Sequence, residues 1–125
     1  MPLNILICDD SAFARKQLAR ALPSDWNINI HFAGNGQEGL EQILSGNGDL
    51  VFLDLTMPVM DGYQVLQAIK NESLKTRVIV VSGDIQPEAH TQVMALGALA
   101  FIKKPCSTAE LTSLLTQFNI YKPGD

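Results

Sequence analysis

The chain has 125 residues, 46% of them hydrophobic and 18% charged, with a formal net charge of −4. That length suits one domain able to bury a core without staples, and that apolar share excludes a disordered chain. The acidic balance argues against nucleic acid as a direct partner. The first apolar run, Ile5-Leu6-Ile7-Cys8, is short and branched, which predicts a strand. Ala14, Leu18, Ala21 and Leu22 then recur at helical spacing, with Ser11 placed to cap the helix and Pro23 following its end. Ile28, Ile30 and Phe32 alternate with Asn29 and His31, so the second strand has one wetter face and belongs at a sheet edge. Leu40, Ile43 and Leu44 mark a second helical stripe. Leu50-Val51-Phe52-Leu53 is a third strand, followed by the stripe Val65, Leu66, Ile69. Val78-Ile79-Val80-Val81 is a fourth, followed by a helix over about Pro87 to Leu96 with Ala89, Val93 and Leu96 on one face. Leu99 to Ile102 is the fifth strand, and Leu111, Leu114, Leu115 and Phe118 stripe a last helix that Ser107 can cap.

Strand and helix thus alternate five times, which predicts an α/β fold: a five-stranded parallel sheet flanked by five helices. The first, third and fourth runs are apolar throughout and suit central strands. With the second at an edge, the order is 2-1-3-4-5, a doubly wound flavodoxin-like arrangement. No apolar stretch approaches a membrane span, and the start Met-Pro-Leu-Asn lacks a basic region or cleavage site. Cys8 and Cys106 lie far apart without metal spacing. The expectation is a cytoplasmic protein with free thiols, no membrane contact and no nucleic acid bound by this domain.

In such a sheet, ligands bind beyond the carboxyl ends of the strands, near the switch point between strands 1 and 3. Those ends carry Asp9 and Asp10, Asp54, Ser82, and the Lys103-Lys104-Pro105 run. Any single acidic turn residue is unremarked solvated surface. Three converging on one crevice repel one another and call for a cation, and oxygen-only ligation suits Mg²⁺. Asp54 is delivered to the rim by a buried strand, and an aspartate there can attack phosphorus to form an acyl phosphate. Ser82 could bond one phosphoryl oxygen. One of the two lysines could pair with another, since strand alternation lets only one face the crevice.

Four segments match a family: Ile5 to Ser11, Val51 to Gly62, Val80 to Gly83, and Gly97 to Pro105. Over about residues 3 to 118 the chain resembles the receiver domain of two-component response regulators. The resemblance implies Asp54 as phosphoacceptor, taking its phosphoryl group from a histidine kinase or histidine phosphotransfer protein. It implies Asp10 as direct Mg²⁺ ligand, Asp9 contributing through water, and the backbone carbonyl of Thr56 completing the site. Ser82 takes the family's hydroxyl position. Lys104 takes the lysine position, before a Lys104–Pro105 bond that is typically cis. Phe101 takes the switch-aromatic position without the hydroxyl of Tyr. Asp84 and Thr56 occupy positions that tune phosphoryl lifetime. The implied output surface is helix 4, strand 5 and helix 5, which would bind a downstream protein or output domain, or a second receiver as a homodimer. The chain would catalyse its own phosphorylation and dephosphorylation while acting mainly as a switch.

A degenerate receiver serving as a phosphorylation-independent interaction module would lack an acidic residue, the hydroxyl or the lysine, and all are present. A haloacid-dehalogenase-type hydrolase would want an aspartate where Thr56 stands. A flavodoxin-type cofactor binder would want a phosphate loop where Asp9 and Asp10 stand. Cys8 reads as core, Cys106 as a plain thiol, His31 and His90 as surface, and Trp26 as packing. The receiver domain is expected over residues 1–120, with 121–125 a tail or the start of a linker. The sequence leaves open whether the receiver stands alone or was cut from a larger protein.

Overall fold

The computed structural model describes residues 2–83 and 86–122. Its elements alternate as β1 (Leu3–Cys8), α1 (Ala12–Ala21), β2 (Ile28–Ala33), α2 (Gly36–Leu44), β3 (Leu50–Leu53), α3 (Gly62–Asn71), β4 (Arg77–Ser82), α4 (Pro87–Ala95), β5 (Ala100–Lys103) and α5 (Thr108–Gln117). The strands form one sheet in the order β2-β1-β3-β4-β5, and every pairing is parallel. This is the flavodoxin-like topology expected from the alternation, with β2 at the edge.

The sheet buries both faces, as parallel sheets with crossover helices must. Ile5, Ile7, Leu50, Phe52, Ile79, Val81 and Ile102 meet Leu18 and Leu22 of α1 and Leu111 and Leu115 of α5. Leu6, Cys8, Val51, Leu53, Val78 and Val80 meet Ile43, Val65, Leu66, Ile69 and Val93 on the other side. Side chains alternate along each strand, so these two sets also fix which face every residue at a strand end points to. Trp26 packs edge-on against Tyr121, with ring centroids 5.6 Å apart, and the Tyr121 hydroxyl donates to Asp25 at 2.6 Å. The chain therefore stays packed one residue into the expected tail; residues 123–125 lie outside the described residues.

The two caps expected from the sequence, on α1 and α5, are present. Ser11 accepts from the Ala14 amide, and Ser107 accepts from the Glu110 amide. Asn35 caps α2, and Asp61 with Gln64 forms a reciprocal capping box on α3. At the N-cap of α4, Gln86 makes no capping side-chain bond. Two features depart from the sequence reading. Leu44, expected on the buried stripe of α2, is 57% exposed. The buried face of α2 is instead Gly36, Gly39 and Ile43. A Cβ on Gly39 would lie 2.7 Å from Cys8 Sγ, so the helix approaches β1 more closely than a larger residue permits. In β2 the apolar set is itself largely open, with Phe32 43% exposed.

Candidate functional site

The sheet delivers Asp9, Asp54, Ser82 and Lys104 to one end. Asp54 follows directly on β3, and its amide donates to the Cys8 carbonyl at 2.9 Å, so the parallel ladder continues to the phosphoacceptor candidate itself. Asp9 is held similarly, its amide bonded to Ala33 at 3.0 Å. On the β5 side the Lys104 amide donates to Ser82 at 2.8 Å. By alternation Asp9, Asp54 and Lys104 share the α1–α5 face, while Ser82 and Phe101 share the α4 face. The register sets Phe101 beside Val80, and its ring packs against the core cluster on that side.

Asp9 is 5% exposed, Asp54 8% and Ser82 2%, and these are the buried polar or charged residues among those described. Asp10 is exposed. One carboxylate oxygen from each of Asp9, Asp10 and Asp54 lies within 4.8 Å of the others, a spacing that fits a small cation with oxygen ligands. Thr56 sits two residues beyond Asp54 in the loop leaving β3. The Lys104 ammonium lies 2.6 Å from Asp9 and 3.4 Å from Asp54. Lys103 is exposed on the other side of the strand. The Lys104–Pro105 peptide is cis. Asp84 lies outside the described residues.

Electrostatics follow from this crowding. Burial, then the charge of Asp9, raises the Asp54 carboxyl above its ordinary range, and Lys104 only partly pulls it back. Burial pulls the Lys104 ammonium down, but the hydrogen bond to Asp9 and the charges of Asp54 and Asp9 outweigh it and leave it raised. Lys104 is therefore a permanent cation at neutral pH. Burial and the charges of Asp9 and Asp54 push the Cys8 thiol up to about 12, which makes it an inert core residue. Burial likewise raises Cys106.

A cleft of about 210 Å³ runs beside the carboxylates, walled by Leu18, Phe52, Val81 and Cys106. Its apolar walls keep the dielectric low around Asp54 and Lys104. Arg15, not singled out from the sequence, donates to the Asp9 carbonyl at 2.7 Å and so braces the end of β1. Its only signal was a position one turn into α1, which means little until the docking of that helix is known.

A sequence profile of the response regulator receiver domain matches residues 5–116. The chain is 41% identical over 113 residues to a protein-glutamate methylesterase/protein-glutamine glutaminase of Symbiobacterium thermophilum, covering 88% of this chain and 31% of that protein. It spans about a third of the length of the curated relatives it matches. The fold is similar to a chain in the CheX–CheY–BeF3–Mg complex of Borrelia burgdorferi, with TM-score 0.84 and 34% identity over 94% of this chain and 90% of that one. It is also similar to the response regulator domain of Thermotoga maritima CheB, with TM-score 0.80 and 27% identity over 98% and 100% of the two chains.

Proposed function

The chain belongs to the response regulator receiver domain family, and from that premise we propose that it is a phosphorylation-activated switch with Asp54 as phosphoacceptor. The observation that carries this is the Lys104 ammonium set between Asp9 and Asp54, 2.6 and 3.4 Å away, where four strand ends converge. An Asp54 oxygen forms a bond to phosphorus as the P–N bond of a donor phosphohistidine breaks, and the bonding pair returns to the imidazole nitrogen. Hydrolysis later cleaves the new P–O bond, releasing inorganic phosphate and restoring the carboxylate. Lys104, fixed by Asp9, offers its charge to a phosphoryl oxygen on Asp54. The donor is a histidine kinase or histidine phosphotransfer protein.

Asp9, Asp10 and Asp54, with the Thr56 carbonyl, would hold Mg²⁺. When bound, Mg²⁺ supplies positive charge that screens the carboxylates and the phosphoryl oxygens. The BeF3 and Mg of the Borrelia burgdorferi complex support that reading. Output follows from Ser82 and Phe101. A phosphoryl oxygen draws the Ser82 hydroxyl toward Asp54, and Phe101 rotates into the space behind it, reshaping the face of α4, β5 and α5. That face binds a downstream protein, an output domain or a second receiver. No helix among the described residues is long and apolar enough to cross a membrane, and a cytoplasmic location fits the reading.

Incubating the chain with a small acyl phosphate and Mg²⁺ should add the mass of one phosphoryl group, and Asp54→Asn should abolish it. A mass gain that persists in Asp54→Asn would remove the assignment.

A further inference from the structure

On the sheet face away from the carboxylates, the Phe101 ring meets a side chain for which the phosphoacceptor chemistry has no use. His90, in the first turn of α4, places its imidazole 5.6 Å from the Phe101 ring, centroid to centroid, at an interplanar angle of 66°. This is edge-to-face stacking, attractive beyond the apolar area it buries. Phe101 is half-buried and packs on the cluster that contains Val80, Ala89 and Val93. His90 is exposed, so the core itself needs no ring at that position. The helix that carries it begins without a side-chain capping bond, unlike α1, α2, α3 and α5. Its first turn places buried Ala89 against the core and His90 against the Phe101 ring.

We infer that His90 is a latch: its ring holds Phe101 in the unphosphorylated position and so sets how much of the chain occupies the active form before any phosphoryl group arrives. The inference rests on the reading of Ser82 and Phe101 as the switch. A contact made in one of two states biases their equilibrium by its own free energy. An edge-to-face pair corresponds to a bias of roughly three- to tenfold. His90 touches no phosphoryl oxygen and acts only through Phe101, which makes it a positioning residue.

The test compares the full chain with His90→Ala, with His90→Phe, which keeps a ring, and with His90→Ala in a Phe101→Ala background. In His90→Ala without ligand, the amide shifts of residues 89–101 should move part-way toward their positions in the wild-type chain saturated with beryllofluoride and Mg²⁺. The half-saturating beryllofluoride concentration should fall by roughly three- to tenfold. His90→Phe should match wild type, and His90→Ala should have no further effect once Phe101 is removed. Unchanged shifts and half-saturation in His90→Ala overturn the latch while leaving the switch reading in place. An equal effect in the Phe101→Ala background overturns it too, assigning the change to α4 alone. A wild-type chain that takes up no beryllofluoride overturns the switch reading and the latch together.

Discussion

Lys104 lies closer to Asp9 than to Asp54. Asp54 keeps a carboxyl raised by burial and by the Asp9 charge. A raised acid binds an extra proton in the folded state across the window between its ordinary and its folded pKa. Stability must therefore fall as pH rises through that window, and the full penalty stands above it. At neutral pH the chain carries this cost at its candidate phosphoacceptor. Asp54→Asn removes the charge and leaves the Lys104–Asp9 pair intact. We expect its melting temperature at pH 7 to exceed wild type by a few degrees, on the order of 4 °C. We also expect a flatter stability profile above pH 4. Calorimetry across pH 4 to 8 checks both, and a variant no more stable than wild type would show that Lys104 already offsets the repulsion.

At the scale of elements, glycines position the site. A Cβ on Gly62, at the start of α3, would lie 2.5 Å from the Asp54 carbonyl oxygen and 2.8 Å from Leu55 Cα. The Gly62 amide donates to Leu55 at 3.0 Å. The capping box of Asp61 and Gln64 then starts the helix against the backbone that carries Asp54. Gly62→Ala should cost about 1–3 kcal/mol in urea unfolding and slow phosphorylation by acyl phosphate, because the displaced backbone is that of Asp54 itself. Retained stability with a normal rate would show that the loop yields freely. The sequence made the strands legible because Ile5 to Cys8, Leu50 to Leu53 and Val78 to Val81 are apolar at every position, as only doubly covered strands are. It made the carboxylates legible because Asp9, with Asp10 next to it, and Asp54 directly follow such strands. It misled at α2, where Leu44 is exposed and the packed face is largely glycine. Hydropathy sees no apolar signal in a residue whose contribution is close approach. His90, read as plain surface, is exposed as expected, yet its ring contact with Phe101 depends on how α4 crosses β5, which no spacing within the helix reveals.

At the scale of the whole molecule, the candidate metal ligands come from β1 and β3, so an ion there would tie neighbouring strands of the sheet together. By linkage, Mg²⁺ in tenfold excess over its dissociation constant should add about 1.4 kcal/mol to global stability. Asp10→Ala should abolish that gain, and thermal melts with and without millimolar Mg²⁺ decide it. The order 2-1-3-4-5 also has a consequence for how the chain is made. Leu3 meets Ile28 and Ile79 meets Ala100 across short stretches of chain, whereas Ile5 meets Leu50 only after the whole β2–α2 segment has been looped out. The β1–β3 seam is therefore the entropically costly contact in folding. Asp9 and Asp10 stand on one side of that seam and Asp54 on the other, at the ends of the strands. A site divided in this way is assembled only after the seam has closed. Mg²⁺ should then slow unfolding in stopped-flow chevrons while leaving the refolding limb where it is, and acceleration of refolding would show the seam already formed at the barrier.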